Sequence, residues 1–201
     1  SIWSPVNTGL TKWCVWALAL SSGYPGDRTL FVGTWGQAVF RSTNGGDTWS
    51  IAQDGFTAIP ILTLTFSPAY ATDGTLFAGA ESQGVFKSTD GGTTWSVINS
   101  GLTYPYVRDL AISPGYASDR TLFAGTNIGG VFKSTNGGSS WSAVNSGLTN
   151  LNVQALAMSP GYTTDSTLFA GTYSGGVFKS TNGGSWTPVN TGLTNLNVQA
   201  L

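Results

Sequence analysis

A block of residues that returns four times at one step, runs of strand length between turn signals, and the lack of any helical period together predict an all-β fold. The expected architecture is a β-propeller of four-stranded antiparallel blades, with four full repeats of about 46 residues and partial blade strands at both ends. Phe40, Phe86, Phe132 and Phe178 mark the step, each 46 residues after the last. Around them lie Gln-Ala-Val-Phe-Arg-Ser-Thr-Asn-Gly-Gly, Gln-Gly-Val-Phe-Lys-Ser-Thr-Asp-Gly-Gly and two copies of Gly-Gly-Val-Phe-Lys-Ser-Thr-Asn-Gly-Gly.

Residues 153–190 show one unit most clearly. Residues 153–158 form a nearly continuous apolar run, as expected of an inner strand covered on both faces by neighbouring blades. Ser159-Pro160-Gly161-Tyr162 ends the run as a turn. The second strand is expected over 167–172 and the third over 176–180, parted by the short loop Tyr173-Ser174-Gly175. A tight hairpin over 181–184 then leads to an outer strand at 186–190. Pro188 fits there, since an edge strand can spare an amide donor.

The repeats run approximately over 15–60, 61–106, 107–152 and 153–197, with partial strands at 1–14 and 198–201. The segment Trp-x-Pro-Val-Asn-Thr-Gly-Leu-Thr occurs near both ends, beginning at Trp3 and at Trp186. An ordinary ring would use the first copy to complete the last blade, but the second copy already fills that place. Both ends are therefore expected to carry unsatisfied strands, which recruit partners. The chain is then a fragment of a longer array, or its partner is the protein itself, as a homo-oligomer closing a larger ring or a strand-exchanged polymer; a self-contained four-blade ring is the remaining alternative.

Composition removes several classes of function. Only 8% of residues are charged and the net charge is -1, so no basic field exists to collect phosphates and no nucleic-acid partner is expected. Histidine is absent, which removes the usual general base near neutral pH and the commonest metal ligand. Cys14 is alone and reads as a small apolar residue near a strand start. No apolar run reaches transmembrane length, and Ser1-Ile2-Trp3 reads as a processed, excised or incomplete amino terminus. A surface of Ser, Thr, Asn and Gly with so few charges points to an extracellular or cell-surface protein.

The recurring hairpin comprises Ser42, Asn44, Gly46 and Trp49; Ser88, Asp90, Gly92 and Trp95; Ser134, Asn136, Gly138 and Trp141; and Ser180, Asn182, Gly184 and Trp186. This pattern resembles the Asp-box, Ser-x-Asp-x-Gly-x-x-Trp, of sialidase, sortilin and photosystem-assembly-factor propellers. Its roles are structural: the Asn or Asp oxygen accepts amides of its own turn, Gly supplies positive φ, and Trp closes over the hairpin. The fourth copy is one residue short, so its turn must differ. Asn in three of four copies drops the charge, so no metal is expected, and no cofactor is implied. The repeated acids Asp27, Asp73, Asp119 and Asp165 read as turn stabilisers, and Arg41, Lys87, Lys133 and Lys179 as solvated strand positions.

Variable residues concentrate in two loops per unit that should share one end of the blades: outer strand to next inner strand, and second to third strand. They bring Trp13, Trp35, Tyr104, Tyr106 and Tyr173 together with Arg108 as a ligand-binding platform suited to sugar rings or to a protein. The sialidase resemblance implies an arginine triad. Of the four arginines here, Arg28 and Arg120 occupy one repeat position, so no triad can converge. Glucan-cleaving propellers use two facing carboxylates about 5–9.5 Å apart, for which Glu81 and Asp109 are the weak catalytic candidates. The expected function is a non-catalytic binding or self-assembling scaffold module whose partner is itself or carbohydrate. The alternatives are a glycoside-hydrolase-like propeller and an assembly factor for a membrane complex.

Overall fold

The computed structural model describes residues 4–11, 14–24, 26–36, 39–52 and 54–201. They form four separate four-stranded antiparallel sheets, each ordered by sequence from an inner to an outer strand. The first blade holds β1 (Val15–Leu20), β2 (Leu30–Thr34), β3 (Val39–Ser42) and β4 (Ser50–Ile51). The second holds β5 (Ile61–Phe66), β6 (Leu76–Ala80), β7 (Gly84–Ser88) and β8 (Ser96–Val97), with a helical turn α1 (Tyr70–Asp73) between its first two strands. The third holds β9 (Val107–Ile112), α2 (Tyr116–Asp119), β10 (Leu122–Thr126), β11 (Gly130–Ser134) and β12 (Ser142–Ala143). The fourth holds β13 (Val153–Met158), α3 (Tyr162–Asp165), β14 (Leu168–Thr172), β15 (Gly176–Ser180) and β16 (Thr187–Pro188).

Second strands read Leu-Phe-Ala-Gly-Thr or close to it, and their burial is nearly complete because a blade lies against each face. Their glycines admit the next inner strand. A Cβ on Gly33, Gly79 or Gly125 would come within 2.7 Å of Ile61, Val107 or Val153 respectively.

Three features differ from the sequence expectation. Outer strands pair over only two residues, since the chain leaves the sheet toward the next blade at once. The turn after each later inner strand continues into a single helical turn. Its acid does the stabilising: Asp119 accepts the Ser113 hydroxyl at 2.5 Å and the Thr121 amide at 2.8 Å, and Asp73 and Asp165 repeat this. The repeated cations are half-buried rather than solvated. Lys87, Lys133 and Lys179 lie over Phe77, Phe123 and Phe169, and Arg41 lies over Phe31.

Blades are fastened edge to edge by the box hairpins. Ser134 Oγ accepts the Gly138 amide at 2.9 Å, and Asn136 Oδ1 accepts the Ser140 amide at 2.9 Å. Trp141, so oriented, donates from Nε1 to the Ile98 carbonyl of the preceding blade at 2.7 Å. Trp49, Trp95 and Trp186 make the same bond to Val6, Ala52 and Val144. In the short fourth hairpin Asn182 Oδ1 accepts the amides of Gly184 and Ser185 instead, and Gly184 lacks the positive φ of Gly46, Gly92 and Gly138. Tyr116 and Tyr162 add edge-on contacts to Phe77 and Phe123 of the blade before.

Candidate functional site

Strand register puts all the divergent loops at one end of the blades. Val107 pairs with Thr126, and Thr126 pairs with Gly130, so the loop entering β9 and the β10–β11 loop emerge together. The helical turns and box hairpins occupy the opposite end, where Leu122 faces Ile112 and Ser134.

At the variable end, one cluster is well defined. The Arg108 guanidinium lies 4.9 Å from the Tyr106 ring centroid, and its Nη2 donates to Asn127 Oδ1 at 3.2 Å. Arg108 Nε is buried with no partner. Burial pushes the Tyr106 phenol up; the Arg108 charge opposes this, and the hydrogen-bonded Glu81 carboxylate adds to it. Glu81 is held at the start of its loop by its amide, which donates to the Pro60 carbonyl at 3.1 Å.

Asp109 is not part of that cluster. Its side chain points between blades, where Oδ1 accepts the Thr63 hydroxyl at 3.0 Å and the Leu110 amide at 2.9 Å, and Oδ2 accepts the Leu156 amide at 2.8 Å. Burial raises its pKa against the pull of those three donors. Glu81 and Asp109 therefore serve two different networks.

The aromatic residues spread along the rim. Tyr104 and Tyr173 are exposed, Tyr104 lying over Gly129, where a Cβ would meet its ring at 2.4 Å. Trp35 is exposed and sits 5.4 Å from Trp16 at a tilt of 34°. Trp13 lies outside the described residues. Trp16 was not among the sequence candidates, because an inner-strand position reads as core. The structure leaves it exposed. It lines a cavity of about 360 Å³ together with Leu62, Arg108, Gln154 and Gln199. All five share one repeat position, Gln199 falling one residue early because the fourth hairpin is one residue short, and a periodicity-aware reading of inner strands would have grouped them.

Among the described residues no cluster of ligating side chains suited to a metal occurs. No helix there is long and apolar enough to cross a membrane.

No protein-family model matches this sequence, and no curated protein matches it. Solved structures do. A GH74 enzyme from Niastella koreensis is 24% identical, with TM-score 0.66, over 80% of this chain and 27% of that one. The extracellular domain of a hybrid two-component system from B. thetaiotaomicron is 13% identical, with TM-score 0.69, over 92% of this chain and 26% of that one. YCF48 bound to D1 peptide is 17% identical, with TM-score 0.64, over 91% of this chain and 57% of that one. The chain is thus a β-propeller-type protein built of four-stranded antiparallel blades. It spans about a quarter of the length of the first two structures and little more than half of the third.

Proposed function

We propose that this chain is a non-catalytic, extracellular binding or self-assembling scaffold module that takes carbohydrate or protein on its variable end. The observation that carries the reading is the segregation of exposed Trp35, Tyr104 and Tyr173, with the Tyr106–Arg108 stack, to the one end where the repeats differ. Aromatic faces beside a guanidinium suit sugar rings and their polar substituents, and suit peptides equally. Sparse charge supports the extracellular placement, and the similarity to the extracellular domain of a two-component system agrees with it.

A glycan-array screen tests it, followed by titration of any bound glycan against Trp35→Ala and Tyr173→Ala. Binding should fall about tenfold or more per ring removed, with melting unchanged. Wild-type binding retained in both variants would reject the variable end as the site.

The second reading, a glycoside-hydrolase-like propeller, is supported by the likeness in fold to a GH74 enzyme, while Asp109 lies between blades apart from Glu81. Polysaccharide cleavage that is lost in Glu81→Gln and Asp109→Asn would establish it over the first.

A further inference from the structure

Every inner strand carries a bulge at the same rung, one step in from the variable end. The second strand of each blade pairs with residues 15 and 17, 61 and 63, 107 and 109, or 153 and 155, and passes over the residue between. Trp16, Leu62, Arg108 and Gln154 are therefore left out of the ladder. A bulge of this kind re-aims a side chain, and here it turns one side chain per blade out of the seam. Ile61, Val107 and Val153, one place earlier, are fully buried, whereas Leu62 and Arg108 stay partly exposed although an inner strand stands on either side of each.

The re-aimed side chains converge. Trp16, Leu62, Arg108 and Gln154, with Gln199, line the cavity of about 360 Å³, a size within the range of about 300–1,000 Å³ typical of small-molecule sites. The bulge is constant from blade to blade but its residue is not: one indole, one aliphatic chain, one guanidinium and two amides. Packing alone would repeat the residue, as it repeats Val or Ile one place earlier. A fixed backbone device that presents divergent side chains to one cavity is what recognition requires.

Arg108 is the cavity's one charged residue. The single ion pair among the described residues, Arg28 with Asp47, lies at the opposite end. The acids beside Arg108 are engaged elsewhere, Glu81 with Tyr106 and Asp109 with Thr63, Leu110 and Leu156. The guanidinium is nonetheless fixed in place, stacked on Tyr106 and donating to Asn127, while its Nε finds no acceptor in the protein. A planar, pre-set guanidinium without a carboxylate partner is suited to receiving one. Gln154 is held in the same manner, its Nε2 donating to Asn152 Oδ1, and with Gln199 it offers amide groups that can serve hydroxyls as donor or acceptor. Trp16 adds an aromatic face, tilted against the exposed Trp35 at the rim.

Resting on the carbohydrate reading above, we propose that this cavity binds a uronate residue of an acidic polysaccharide. The uronate carboxylate sits on the Arg108 guanidinium, its hydroxyls meet the amides of Gln154 and Gln199, and its ring lies against Trp16. Arg108 thereby selects acidic over neutral sugars, which the exposed rim aromatics by themselves do not distinguish.

Calorimetric titration of the full chain tests this, with tetragalacturonate, its full methyl ester, hyaluronan tetrasaccharide and cellotetraose as probes. Wild type should bind at least one of the two uronate oligomers about tenfold or more tighter than the methyl ester or cellotetraose. Arg108→Lys keeps the charge but loses the planar fork, so it should weaken the uronate about tenfold and leave any neutral-sugar binding unchanged. Thermal melting checks that this variant folds. Gln154→Ala, which removes no charge, provides a second variant and should weaken the same uronate several-fold. Failure of both uronates to bind, or equal binding of tetragalacturonate and its ester, would overturn the proposal. So would a peptide with a free carboxyl terminus that binds through Arg108 more tightly than either uronate, since the partner would then be a protein. Neutral-sugar binding that is lost in Trp35→Ala, with no preference for uronate, would overturn this assignment alone and leave the carbohydrate reading standing.

Discussion

Trp141 donates its indole N–H to the Ile98 carbonyl at 2.7 Å, a bond spanning 43 residues that ties the third blade's hairpin to the outer strand of the second. The indole is almost wholly buried there. Trp141→Phe leaves the Ile98 carbonyl without its donor and should destabilise the fold by about 1–3 kcal/mol. Trp141→Ala adds a cavity and should cost about 3–5 kcal/mol. Urea unfolding of both variants checks this; a Trp141→Phe variant as stable as wild type would mean that the ring alone matters and the bond does not.

Gly147 and Gly192 hold the same repeat position with φ of +81° and +86°, yet only Gly147 presses on a tryptophan carbonyl, where a Cβ would lie 2.2 Å away. Both alanine variants carry the left-handed backbone penalty of about 1 kcal/mol. Gly147→Ala also forces two blades apart, so it should lower thermal stability by several degrees more than Gly192→Ala. The comparison isolates close approach from backbone conformation.

Asp109 has a folded-state pKa above its ordinary value, with burial as the main cause. A carboxyl that binds its proton more tightly when folded favours the fold most below its unfolded pKa of about 3.9. That advantage is lost as pH rises through the unfolded and then the folded value. Replacing it with Asn removes this dependence. Wild-type stability should therefore fall relative to Asp109→Asn as pH rises from about 4, and denaturant midpoints measured across that range would show parallel curves if the assignment is wrong.

Asp90 behaves oppositely. Slight burial would raise its pKa, but hydrogen bonds from Thr94, Ser88 and Thr93 hold it down to about 2. Its contribution is present above the unfolded pKa and lost as pH falls through the folded one, between about 4 and 2. Asp90→Asn turns the second hairpin into the form already used at Asn44 and Asn136. At neutral pH, stability should change by less than about 1 kcal/mol. Acid titration should show a shallower loss than wild type below about pH 4.

Much of the candidate site was legible in advance because its loops break a pattern that is otherwise strict. Trp35, Tyr104 and Tyr173 are surface residues at one end, and Arg108 and Tyr106 stack there. What periodicity could not supply was the partner of each side chain. Asp109 looks like any variable acid, but its oxygens reach Thr63 and Leu156, 46 and 47 residues away, across two seams. Lys87 looks solvated in a strand that alternates, but the neighbouring Phe77 draws it over a ring.

The sequence by itself determined the strands, their order within a blade and the hairpins that join blades, because these depend on nearest neighbours and recur at a constant interval. The tertiary structure alone decided which inner strands are covered. Leu18 and Leu110 occupy equivalent positions, yet one faces solvent and the other is buried. Burial belongs to the pair of blades that meet, and among the described residues no blade covers the Leu18 face.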